Sequence, residues 1–266
     1  MDVLWITNIL FPEATAVLTG NKDLKSSGGW MLGLANQIIR HADLNLYIAT
    51  VSPLVSELTI VKGQKITFYV IPKVNLKSAA YQKYWIKINS DICPDIVHIH
   101  GTESAHAYAY MKACEPSNVV ISIQGLLSAC YIYYNYGLSG LDILRNLTLR
   151  DLLKGSLFKI KRNFGRYSKY EIEMLKMTQH VIGRTMWDRA QVWAINPGAQ
   201  YHFCNEILRS EFYDGSLWTY DKCIPHSIFI SQANYPIKGF HQLLKALPPR
   251  SKFILLGQVV CLHQPF

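Results

Sequence analysis

Short apolar runs rich in β-branched residues recur along this chain, each separated from the next by a segment with helical periodicity. That alternation admits few folds other than βαβ units around a parallel sheet. The strands are expected at 3–7 (VLWIT), 45–51 (NLYIATV), 65–71 (KITFYVI), 95–101 (DIVHIHG), 118–124 (NVVISIQ) and 180–185 (HVIGRT), enough for one doubly wound, Rossmann-like α/β domain. Between the first two, Trp30, Met31, Leu34, Ala35, Ile38 and Ile39 fall on one helical face that packs on the sheet. A further strand at 227–233 (SIFISQA), a helix at 238–248 and an apolar run at 253–257 open a second α/β domain. The expected organisation is a first domain over 1–205, a connection over 206–226 containing Gly215, Pro225 and several aromatics, and a second Rossmann-like domain over 227–266. That second domain is expected to be incomplete, because a domain needs on the order of 50 residues or more to close a core.

Composition narrows the class. With 266 residues, 50% apolar and 17% charged, the chain can bury a substantial core and is not disordered. Its six cysteines contain no C-x-x-C pair, so neither a zinc ribbon nor a disulfide framework is indicated, and reduced thiols are expected. The start MDVLWITNILFPEA has an acidic second residue and no basic region before its apolar run, unlike a signal peptide. No run approaches the roughly 18 apolar residues of a membrane span, so a cytoplasmic location is expected.

The net charge of +9 is compatible with nucleic acid, an anionic membrane surface or anionic substrates. Between Arg145 and Lys169 stand Arg145, Arg150, Lys154, Lys159, Lys161, Arg162, Arg166 and Lys169 against one acid, Asp151, with leucines and aromatics interleaved. A basic amphipathic stretch suits the inner face of a cell membrane, and a solvated helix face packed on its domain explains it equally well. Because the basic residues cluster in one segment rather than along an aromatic-studded groove, no nucleic-acid partner is expected.

In open parallel sheets ligands sit outside the carboxyl ends of the strands, and four such places hold candidate residues. Gly28 and Gly29 directly precede a helix, where paired glycines let backbone amides approach an anion, although a plain turn uses them as readily. His98 and His100, two apart on a strand, face the same way, with Glu103 close behind; acid–base chemistry or a structural pair are both open, and a metal is not expected. Gly101 after His100 suggests close approach of a ligand. Gln124 can hold sugar hydroxyls or merely cap its turn. Arg184 ends the next strand, and Thr185 with Asp188 reads as a capping box as readily as a binding motif. No P-loop, Ser-His-Asp set or zinc-hydrolase motif is present.

In their order and spacing these pieces resemble the retaining glycosyltransferases of family four, whose fold is GT-B, two Rossmann-like domains. The matching residues are Gly28 and Gly29 with the helix after them, D-I-V-H-I-H-G at 95–101, S-I-Q-G at 122–125, E-x-E-x-L at 171–175 and I-S-Q-A-N-Y-P-I-K-G at 230–239; HVIGRTMWDRA with NEILRSEFY looks like a bacterial subgroup. The resemblance runs from Val3 to about Pro248. It implies transfer of a sugar from a nucleotide-diphosphate donor to a polysaccharide or glycolipid acceptor, with the nucleotide sugar as substrate and no further cofactor. It would place Gly28 and Gly29 near the donor phosphates, have Lys238 neutralise the diphosphate leaving group, and set His100, Gln124 and Arg184 along the cleft with Glu103 toward the acceptor. The chain departs from the family at Gln124, often a histidine, and at Gln232, often an arginine. The paired donor-binding glutamates are not found, and PRSKFILLGQVVCLHQPF no longer resembles the family, as after a frameshift or premature stop. A sugar-nucleotide epimerase shares the architecture but would carry its own catalytic carboxylates. The rival from another class is a non-catalytic remnant that binds acceptor or a membrane surface.

Overall fold

The structure, a computed structural model, describes residues 1–21, 29–74, 78–114, 117–208, 211–223, 227–230, 235–247, 252–256 and 259–263. They form two compact units, Met1–Ser128 with Arg166–Asp214, and Ala129–Gly165 with Gly215–Phe266. This division differs from a single cut near 205, since residues 129–165 group with 215–266.

The first unit is a doubly wound α/β domain. Its eight strands are β1 (Asp2–Thr7), β2 (Asn45–Ser52), β3 (Thr59–Lys62), β4 (Ile66–Pro72), β5 (Ile96–His100), β6 (Val119–Ser122), β7 (His180–Gly183) and β8 (Gln200–Phe203), in the order β3-β4-β2-β1-β5-β6-β7-β8. All pairings are parallel except β3 with β4. The six expected strands are present, with their ends displaced by no more than two residues. β3 and β8 occupy the sheet's two edges, and each has only four residues.

Alternation along β1 builds a core on each face of the sheet. Leu4 and Ile6 join Val97, Ile99 and Ile121 under Trp85, Ile88 and Tyr110 on one side. Val3 and Trp5 join Leu46 and Ile48 against Met31 and Ala35 of the helix Gly29–Ile38 on the other. The expected apolar face of that helix is thus confirmed, with Trp30, Leu34 and Ile38 packing at the core's margin. A helix at Pro12–Thr19, opened by its proline and closed by Gly20 at φ +72°, comes between β1 and the glycine pair. The chain passes from β1 to β2 on one side and returns through β5 on the other, so the strand order reverses at the β1/β5 boundary. In such sheets that boundary opens a crevice at the strands' carboxyl ends.

The second unit contains β9 (Ser227–Phe229), β10 (Lys252–Leu256) and β11 (Val259–His263), paired antiparallel in the order β10-β11-β9. It also holds the short helices Gly140–Arg145, Leu149–Lys154 and Phe240–Ala246. No helix among the described residues is long and apolar enough to cross a membrane.

Candidate functional site

Period-two geometry places both histidines of β5 on the sheet face that carries Trp5, whose register partner is His98. The two imidazoles lie 3.8 Å apart between ring centroids, and the Trp5 indole packs edge-on against His100 at 4.3 Å. His98 Nε2 shares a 2.6 Å hydrogen bond with Ser122 Oγ of β6. His100 is only 2% exposed, yet neither ring nitrogen has a hydrogen-bond partner among the described residues. Burial lowers the His98 pKa to about 4. Burial, and then the neighbouring His98, hold His100 well below the usual imidazole range, so both rings are neutral at pH 7.

Beyond His100 the next two strands deliver Gln124 and Arg184. One Arg184 nitrogen donates to the Gln124 carbonyl at 3.3 Å, and another pairs with Glu206 at 2.6 Å, which ties the end of β6 to the segment after β8. The Gln124 side-chain amide nitrogen is buried without a partner among the described residues. His98, His100, Gln124, Arg184 and Glu206 line one cavity of about 210 Å³, closed on one flank by Trp30, Leu34 and Ile38. Those three recur every four residues along one stripe of their helix. Ligand sites for drug-sized molecules run to roughly 300–1,000 Å³, so this cavity suits part of a larger ligand.

The expected residues therefore separate. His100, Gln124 and Arg184 come together. Gly29 opens the helix whose Trp30 reaches the cavity, and is itself buried. Gly28 lies outside the described residues, as does Gln232. Glu103 instead faces a second cavity of about 380 Å³, beside Asn8, Lys73, Tyr81 and Tyr167 at the carboxyl ends of β1, β2 and β4. Its carboxyl pKa is raised, chiefly by burial. Gly101 turns at φ +89°, and the space where a Cβ would stand is filled by the Glu103 carboxylate. The glycine thus serves the turn and its neighbour's packing, where the sequence suggested ligand approach. Lys238 belongs to the second unit, exposed at the end of the 3-10 turn Pro236–Lys238.

Two residues matter more than their sequence context suggested. Glu171 is fully buried and accepts four hydrogen bonds, from Thr102 Oγ1 (2.6 Å), the Leu127 and Ser128 N–H groups (2.8 Å each) and Ser128 Oγ (2.6 Å). It caps the start of the helix Leu127–Tyr133 and pins the loops after β5 and β6, which carry Glu103 and Gln124. The E-x-E-x-L motif was its only sequence signal. His106, buried with Nε2 3.0 Å from the Thr7 carbonyl oxygen, fixes the end of β1. Thr185 and Asp188 form a reciprocal capping box, so their role is structural. No group of three or more potential metal ligands occurs among the described residues.

No family model and no curated protein matches this chain. Among solved structures, sucrose-phosphate synthase from Thermosynechococcus elongatus matches at TM-score 0.49 and 10% identity, over 76% of this chain and 47% of that one. UDP-GlcNAc 2-epimerase from Methanocaldococcus jannaschii matches at TM-score 0.39 and 11% identity, over 77% and 46%. A structure described as trehalose-6-phosphate from E. coli bound with UDP-2-fluoro glucose matches at TM-score 0.36 and 10% identity, over 73% and 42%. The chain spans less than half the length of each. The sheet order, rather than these likenesses, defines its Rossmann-like α/β fold.

Proposed function

We propose that this chain belongs to the GT-B glycosyltransferases, in the retaining family-four branch of bacterial polysaccharide or glycolipid synthesis, and acts on a nucleotide-diphosphate sugar in the cytoplasm. The observation that carries this reading is the convergence of His100, Gln124 and Arg184 on one cavity at the strands' carboxyl ends, with a buried neutral imidazole and a buried amide nitrogen that have no hydrogen-bond partner among the described residues. Groups of that kind match sugar hydroxyls, which both donate and accept. In transfer, the bond from the sugar's anomeric carbon to the diphosphate oxygen breaks with its electron pair staying on the diphosphate. A bond from an acceptor hydroxyl oxygen forms, and the hydroxyl proton passes to the departing diphosphate oxygen. On this reading Lys238 stabilises the charge that develops on the diphosphate, and Gly28 and Gly29 adjoin the phosphates. Glu103 serves the acceptor side.

The test is release of nucleoside diphosphate from a panel of UDP- and GDP-sugars. His100→Ala is expected to lower kcat/KM at least ~10-fold, about 1.4 kcal/mol of transition-state stabilisation. Lys238→Ala should cost ~100-fold or more. If the folded wild-type chain neither releases diphosphate nor is thermally stabilised by any sugar nucleotide, the reading is wrong. The Arg184–Glu206 ion pair favours a second reading, a non-catalytic sugar binder, because it leaves the cavity without an uncompensated charge among the described residues. Thermal stabilisation by a glycan without diphosphate release would support that reading.

A further inference from the structure

In the second unit, the helices Gly140–Arg145 and Leu149–Lys154 follow one another, each fewer than two turns long. Helices so short are marginal by themselves, and each is secured by a reciprocal capping box, Ser139 with Asp142 and Thr148 with Asp151. These aspartates are the only acids between residues 139 and 165, against six basic residues. Hydrogen bonds from the capping Ser139 and Thr148 lower both their pKa values and fix both carboxylates at the helix starts. The stretch therefore presents a positive field whose negative charges are held in place.

Its outward residues are not those of a solvated face. In the first helix Ile143 is buried and supplies the core contact, while Leu141 and Leu144 stand 63% and 56% exposed. In the second, Leu149 and Leu153, one turn apart, are 77% and 79% exposed. Arg145 and Arg150 are exposed beside them. Four leucines projecting outward between arginines give apolar surface that folding does not use. Leucines standing out singly from short helices, flanked by cations, fit a soft anionic layer into which side chains sink while guanidinium groups stay at phosphate level.

We infer that residues 139–158 form an interfacial lipid-binding element that lies on a membrane rich in anionic phospholipid, with Leu141, Leu144, Leu149 and Leu153 inserted and Arg145 and Arg150 on the headgroups. The element refines the broader basic stretch over 145–169 and is independent of the sugar-transfer reading.

The experiment is co-sedimentation of the full chain with phosphatidylcholine vesicles and with vesicles that also contain phosphatidylglycerol, at low and high salt. The wild-type chain binds the anionic vesicles preferentially and is released by salt. Arg145→Gln with Arg150→Gln weakens partitioning about 25-fold, at roughly fivefold per cation. Leu149→Ser with Leu153→Ser weakens it ~10-fold or more on the same vesicles, with the thermal midpoint unchanged. Equal binding to neutral vesicles, or no binding to anionic ones at low salt, overturns the proposal on the wild-type chain alone. Binding that ignores the leucine changes overturns insertion, leaving adsorption by charge. Self-association that the leucine changes abolish, without vesicle binding, assigns the surface to a second copy of the chain and overturns the lipid.

Discussion

Acidification from pH about 7.5 to about 5 should cost the folded chain roughly 2 kcal/mol for each imidazole that burial keeps neutral, and His106 is the cleanest place to see it. Its pKa is lowered to about 4, with burial as the main cause and the hydrogen bond to the Thr7 carbonyl pulling weakly the other way. An unfolded histidine titrates near 6.5. Between those values the unfolded chain takes up a proton that the native chain refuses, so stability falls as pH drops through 6.5 and the loss levels off below about 4. At pH 5 an unfolded imidazole is about 97% protonated, which gives the ~2 kcal/mol. The local slope at pH 5 is about 1.2 kcal/mol per pH unit. His98, also lowered to about 4, and His100 act in the same direction, for a combined loss of about 6 kcal/mol at most. Glu103 opposes them, since its raised pKa makes the native state the better proton acceptor as pH falls.

The assay is urea unfolding at a series of pH values for the wild type and for His106→Gln, whose amide can donate to the Thr7 carbonyl without titrating. The variant is expected to be less stable at pH 7.5, and its stability should fall less steeply between pH 6.5 and 4.5, by about 1.1 kcal/mol per pH unit on average. Parallel stability–pH curves would refute the argument, because general charge repulsion acts on both proteins alike.

Glu171→Ala should destabilise by about 3–5 kcal/mol in urea unfolding, since it strips four donors of their acceptor; a cost below about 1 kcal/mol would mean that water replaces the carboxylate. Gly101→Ala should cost about 1–3 kcal/mol, because it holds an L-residue at positive φ and displaces Glu103, and calorimetry would read the lowered Tm. Glu206→Gln should change stability by no more than about 1 kcal/mol, its pair with Arg184 being about one-third exposed, and chemical denaturation would check this.

How much was legible follows from burial. β1, β2 and β4 are flanked by neighbours and covered on both faces, so they read as near-continuous apolar runs, and β5 reads as one interrupted only by His98 and His100. The edge strands β3 and β8 have one neighbour each and exposed residues, and so carried no such run to find. The antiparallel pairing of β9, β10 and β11 was not legible either, since strand direction depends on which segments meet. The same holds within the site. A two-residue spacing put His98 and His100 on one face, and Thr185 with Asp188 three residues on announced a cap; both are local geometry.

By itself, the sequence determined the parallel α/β class, the central strands, the core face of the helix Gly29–Ile38 and the polar residues at the strand ends, because each follows from the period of a strand or helix. Tertiary structure alone decided that Glu206 neutralises Arg184, that Glu171 holds two loops separated from it by more than forty residues, and that Glu103 faces a different cavity from His100. Those relations are set by strand order and by which loops close on one another, and no local periodicity encodes a contact between residues that only the fold makes neighbours.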